Sequence, residues 1–225
     1  MFNFFILRIR TICPHPPHHP MLFLIIALPC EAAPFIERLG LERDVENAQP
    51  LTYLGDDCVL VVSGVGKSNA AAATVFALSE YDWQPASVVV ANVGICGSGD
   101  RLFCIGELSR IDCIRDIAAD RSMTLDCPGD SGMVVSHLAT YDQPVLRAED
   151  HSGHEPLVDM EGAGFCQAAA MLVRGDRIMC FKVVSDYLGG ALPKKAAVSK
   201  LIDNHVDEIM SVLDSVSQPS HGVLE

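Results

Sequence analysis

The chain alternates between unbroken apolar runs and segments with helical periodicity. The runs "MLFLIIAL", "CVLVVS", "SVVVANV", "LFCIGELSRI", "GMVVSHLA" and "IMCFKVVS" are continuous rather than alternating, the pattern of strands covered on both faces. Helices are predicted between them over Glu31 to Leu39, Ser68 to Ser79 and Gly162 to Val173. A last helix from about Ala196 to Val216 puts Val198, Leu201, Ile202, Ile209 and Leu213 on one stripe. This alternation predicts an α/β fold: a single domain whose central twisted, mixed, largely parallel sheet is flanked by helices. Ala118 to Gly132 and Glu149 to Glu155 read as the least regular stretches.

Composition narrows the partners. A formal charge of -13 argues against nucleic acid or an anionic membrane. The nine cysteines are scattered singly, with no C-x-x-C pair. That suits reduced thiols in a cytoplasmic protein rather than a disulfide framework. Residues 1–20, "MFNFFILRIRTICPHPPHHP", differ in character. Two readings are open: a secretory signal with Arg8 and Arg10 as its charged region, or a loose extension before a domain spanning 21–225. The short apolar run and the cytosolic character of the rest favour the extension.

Candidate chemistry lies after the strands, because ligands gather at the carboxyl ends of strands in open α/β sheets. "VVSGVGKSNAAAA", Val61 to Ala73, looks like a triphosphate loop but holds Val61 where that motif needs a glycine. The dinucleotide pattern fails as well, since Asn69 replaces its third glycine. The other strand ends carry Glu31, the apparent turn Gly94-Ile95-Cys96-Gly97, Asp159-Met160-Glu161 and Asp186. Glycine turns and carboxylates thus converge on one crevice. The Glu149 to Glu155 segment, with His151 and His154, reads as a solvated loop, and no metal or cofactor is expected. Cys96 reads as a small buried filler and Lys67 as a surface lysine.

Five motifs then occur in order: "SGVGKSNAAAA", "ANVGICGS", "IGEL", "VDMEGAG" and "KVVSD". With them the chain resembles the purine nucleoside phosphorylase and nucleosidase superfamily, most closely the methylthioadenosine/S-adenosylhomocysteine nucleosidases, from Met21 to about Val216. The resemblance implies cleavage of a purine–ribose bond, with a cationic sugar and a base that leaves poorly unless protonated. It implies Asp186, presented by Ser185, as the acid, and Glu31 as the base that activates water. Glu161 would hold the ribose hydroxyls, Met160 would pack under the sugar, and Val65 would face the substituent on the ribose. Ile95 and Gly97 would contact substrate from the second glycine segment.

Two substitutions separate hydrolysis from phosphorolysis. Asn92 stands where phosphorylases of this superfamily carry a phosphate-binding arginine, and Glu31 replaces their arginine-bearing loop. Water is therefore the expected nucleophile; a phosphorylase and a non-catalytic nucleoside-binding relative are the alternatives. Pro144 occupies the place of the purine-stacking phenylalanine. The resemblance also implies a homodimer acting on a small-molecule nucleoside.

Overall fold

The computed structural model describes residues 21–47, 49–85, 87–99, 101–126 and 132–217; the extension at 1–20 lies outside them. The elements in chain order are β1 (Met21–Ile26), α1 (Pro29–Leu39), β2 (Glu42–Arg43), β3 (Leu51–Leu54), β4 (Cys58–Val62), α2 (Lys67–Glu80) and β5 (Val88–Ser98). They continue as β6 (Leu108–Asp116), β7 (Arg121–Thr124), β8 (Val134–Thr140), β9 (Leu157–Asp159), α3 (Gly162–Ala169), β10 (Ile178–Asp186), α4 (Lys195–Asp203) and α5 (Val206–Ser217).

One 10-stranded mixed sheet organises them. Its centre, β4-β1-β5-β10, is parallel throughout. Antiparallel pairings bring in β3 beside β4, β6 beside β10, and β9 beside the end of β5. The unbroken apolar runs reflect cover on both faces. Phe23, Ile25, Val88 and Val90 pack on one side with Ala70, Ala73 and Phe165 of α2 and α3. Leu22, Leu24, Ile26, Val89 and Ala91 pack on the other with Phe35, Ile202, Ile209 and Leu213 of α1, α4 and α5. Among the described residues no helix is long and apolar enough to cross a membrane.

Three features differ from the sequence reading. The segment Gly94-Ile95-Cys96-Gly97 is not a turn, because β5 runs straight through it to Ser98. The last helix is two helices, interrupted at Asn204 and His205. There His205 Nε2 lies 2.7 Å from the Gly106 carbonyl, tying the interruption to the loop before β6. The stretch expected to be least regular contributes β7, which pairs antiparallel with β6; residues 127–131 of it lie outside those described.

The α2–α3 contact is close enough to be tested by one methyl group. A Cβ on Gly164 would sit 2.1 Å from the Lys67 carbonyl oxygen, a backbone atom that cannot swing aside. Gly164→Ala should destabilise the protein by about 1–3 kcal/mol through overpacking. Denaturant unfolding measures this, and a neutral result would contradict the close approach.

Candidate active site

The carboxyl ends of β1, β4, β5, β9 and β10 surround a cavity of about 380 Å³. Glu31 enters it from the first turn of α1, where Pro29 pre-sets the helical φ. One oxygen of Glu31 accepts the Leu28 amide at 2.8 Å, the carboxylate half of a capping box. The other accepts the Ile95 amide of β5 at 2.9 Å. Structural cap and cavity-lining carboxylate are thus the same group. Burial pushes its pKa up to about 7; the Ile95 amide and then Lys182 pull the other way.

Asp186 ends β10, where a bulge between Val184 and Asp186 shifts the register against β5. Bulges of this kind re-aim side chains. One oxygen of Asp186 accepts the Leu188 amide at 2.9 Å. The other lies 2.7 Å from the Ser185 hydroxyl, which is also 3.0 Å from the Cys96 carbonyl.

Space beside the two carboxylates is tight at the glycines of β5. A Cβ at Gly94 would lie 3.1 Å from Glu31 Oε1. A Cβ at Gly97 would lie 2.5 Å from Leu188 and 3.5 Å from Asp186 Oδ1. The two glycines of "VGICG" are strand positions where a side chain would crowd Glu31 at one and Leu188 and Val158 at the other.

Glu161 precedes α3, and its carboxylate accepts the Gly66 amide at 2.7 Å. That bond fastens the turn after β4, which carries Val65, to the α3 end of the site. Burial raises the Glu161 pKa, and nearby Asp159 adds to the effect. Glu31, Val65, Ile95, Gly97, Met160 and Glu161 all line the one cavity. So do Ser185, Asp186 and Pro144.

Two further charged residues, Asp159 in the lining and Lys182 behind it, carry no role in the sequence reading. Lys182 of β10 and Asp159 of β9 form an ion pair at 2.9 Å, each side chain only 1% exposed. Asp159 further accepts the Thr140 hydroxyl at 2.7 Å and the Gly162 amide at 2.8 Å. Lys182 Nζ lies 3.6 Å from the point a Gly94 Cβ would occupy, on the same side as Glu31. Burial opposes its charge, but Asp159 and more distant acids outweigh that and hold its pKa above the ordinary lysine range. A lysine interrupting the apolar run "IMCFKVVS" was the available signal.

Other singled-out residues lie elsewhere. Asn92 is buried in the sheet and donates to the Ile25 carbonyl at 2.9 Å, so it does not line the cavity. Lys67 is no free surface lysine; it pairs with Asp116 at 2.6 Å and Asp142 at 2.9 Å. His151 is held between the Tyr141 hydroxyl at 2.7 Å and the Glu155 carbonyl at 2.8 Å. Cys96 is buried, which pushes its thiol pKa well up.

No protein-family profile matches the chain. No curated protein matches it by sequence. Solved structures do match. A methylthioadenosine/S-adenosylhomocysteine nucleosidase from Colwellia psychrerythraea, in complex with adenine, superposes with TM-score 0.72 at 20% identity, covering 88% of this chain and 96% of that one. The Arabidopsis thaliana methylthioadenosine nucleosidase in its apo form gives 0.71 at 17% identity, over 89% and 97%. The Helicobacter pylori nucleosidase bound to butyl-thio-DADMe-Immucillin-A gives 0.72 at 15% identity, over 88% and 99%.

The fold is that of these nucleosidases. Nearly the whole length of each of these structures is matched. At these identities the likeness establishes architecture; the chemistry has to come from the side chains.

Proposed function

We propose that this nucleosidase-fold protein hydrolyses the N-glycosidic bond of a purine nucleoside of the adenosine type. The observation that carries the reading is the presentation of Glu31, from the first turn of α1, and Asp186, from the end of β10, to one cavity. Cleavage needs an acid at the base and a base for the nucleophile, and two carboxylates in different surroundings can divide those roles.

Asp186 is the acid. If the Ser185 hydroxyl donates to the Cys96 carbonyl, its oxygen is free to accept a proton from the Asp186 carboxyl 2.7 Å away. That bond fixes the acid's orientation before the proton goes to the departing purine. Glu31 takes the proton of the attacking water, and Glu161 uses its remaining acceptor capacity on the ribose hydroxyls. Val65 and Met160 supply apolar walls around the sugar. Pro144 lines the cavity in place of an aromatic platform, so base recognition rests more on backbone and aliphatic contacts. The adenine in the Colwellia structure supports a purine as the leaving group.

Water is favoured over phosphate by the charge of the lining. Glu31 and Glu161 contribute their carboxylates to it, and the charge of Lys182 is already matched by Asp159. A cytoplasmic homodimer completes the proposal. The described cysteines are all free. Exposed Leu102, Ile105, Val134 and Val135 offer apolar surface to a second copy.

Incubation with adenosine, methylthioadenosine and inosine, following free base by chromatography, tests the reading; release of no base would overturn it. The pH profile tests the role of Glu31. The base must be ionised, and burial lifts its pKa to about 7. So kcat/KM should rise with pH through about 7 on this limb. Glu161 raises the Glu31 pKa, so Glu161→Gln should move the limb to lower pH. A limb that Glu161→Gln leaves in place, or moves upward, would exclude Glu31 as its origin.

A further inference from the structure

Residues 141–156, which join β8 to β9, form a loop with a short 3-10 turn at Ala148–Asp150. A loop of this length with so little regular structure is commonly functional. Its Pro144, Val145 and Leu146 line the cavity. The Leu146 carbonyl accepts the Gly190 amide at 2.7 Å, and Arg147 bridges to Gly189. The wall is thus paired with the segment that follows Asp186, on the acid's side of the cavity, where the base would lie.

Behind this wall Tyr141 meets His151, both half-buried. The Tyr141 hydroxyl lies 2.7 Å from His151 Nδ1 and accepts the Ser152 and Gly153 amides at 3.0 and 3.1 Å. On the far side of the imidazole, Nε2 lies 2.8 Å from the Glu155 carbonyl. A carbonyl can only accept, so Nε2 carries the proton. The neutral ring then has a bare Nδ1, and the phenol, already receiving two amides, gives it its own proton. Every donor in the set is matched to an acceptor. The imidazole also fills its place closely, since a Cβ on Gly99 would lie 2.8 Å from His151 Cδ2. The Tyr141 ring packs on the small apolar cluster of Ala139, Val158 and Leu188, and so does Val145 of the wall.

Building on the nucleosidase reading, we propose that Tyr141 and His151 are positioning residues that set affinity for the base. Residues 144–146 lie between them in the chain, so their bond closes the loop around the wall and holds it against the purine. Neither side chain belongs to the cavity's lining, and neither takes part in bond cleavage. Loosening this clamp costs binding and leaves Glu31 and Asp186 in place.

Adenine binding is measured by calorimetry, and adenine release from adenosine and methylthioadenosine by steady-state kinetics. Tyr141→Phe keeps the ring and removes the hydroxyl that serves His151 and two amides. It should weaken adenine binding about tenfold, the size of one lost hydrogen bond at a partly buried site. KM should rise with kcat little changed, the pattern of lost ground-state binding. His151→Ala should match that loss. His151→Gln, whose amide can still donate to the Glu155 carbonyl, should lose less, about threefold. The two His151 variants carry the test if Tyr141→Phe does not fold.

Unchanged adenine binding in Tyr141→Phe or in His151→Ala overturns the proposal. So does a fall in kcat at constant KM, which loss of folded protein alone would give. A His151→Gln protein that binds no better than His151→Ala overturns it too, as does failure of the starting protein to bind adenine. Clamp-dependent adenine binding without release of adenine from either nucleoside would preserve the clamp and remove the nucleosidase reading. Adenine release with binding indifferent to the clamp would do the reverse.

Discussion

Asp186→Asn should lower turnover by about a hundredfold or more while nucleoside still binds. The substitution preserves shape. An asparagine oxygen can still accept the Leu188 amide, and its amide nitrogen can occupy the position now 2.7 Å from Ser185. What it lacks is a proton to give to the departing purine. Stability should therefore stay close to that of the unmodified protein, so a turnover loss reports chemistry rather than unfolding. Steady-state kinetics with calorimetry on the same preparation separate the two effects. Near-normal turnover would remove Asp186 from the reaction. A loss of binding as large as the loss of rate would make it a substrate-holding residue instead.

Lys182→Met should have the largest effect on the fold. Met fills a similar volume but leaves Asp159 ionised in a place where both partners are 1% exposed. Removing one member of a buried pair costs about 3–5 kcal/mol, because the remaining charge has lost its compensation. That is a large part of the about 5–15 kcal/mol by which a domain of ordinary stability stays folded. The double change Lys182→Met with Asp159→Asn should recover much of the loss. The asparagine oxygen can keep the bond from either Thr140 or Gly162 without demanding a cation. Urea unfolding of the two single variants and the double variant measures the coupling. Additive losses would contradict the ion pair's place at the back of the site. In folded Lys182→Met, the activity limb assigned to Glu31 should move to higher pH, since Lys182 lowers the Glu31 pKa.

Much of this architecture was readable because a parallel sheet buried on both faces leaves continuous apolar runs. The candidate site was readable from the segments that follow the strands, which is how Glu31, Glu161 and Asp186, all in the lining of one cavity, stand out. The glycines were harder. A Gly-x-x-Gly segment reads as a break in local terms, yet Gly94 and Gly97 lie within β5, where neighbouring side chains crowd both positions. That crowding is tertiary and leaves no periodicity. The break between α4 and α5 likewise carries no proline or glycine; a tertiary contact, His205 with the distant Gly106 carbonyl, sits there instead. Asn92 shows the limit of comparing single positions. Its side chain holds the Ile25 carbonyl inside the sheet, so the case for water rests on the charges that line the cavity.

Those charges make hydrolysis the central claim, and the most direct measurement is base release in phosphate-free buffer, with the sugar product identified by mass. A phosphate dianion beside the lining carboxylates meets repulsion of about 1 kcal/mol or more per charge pair at contact distance, rising as water is excluded. Neutral water meets none, and Glu31 can take its proton. Base release should therefore proceed at an undiminished rate without phosphate and give the free sugar. Strict dependence on phosphate, with a sugar 1-phosphate as product, would contradict the account and make the protein a phosphorylase.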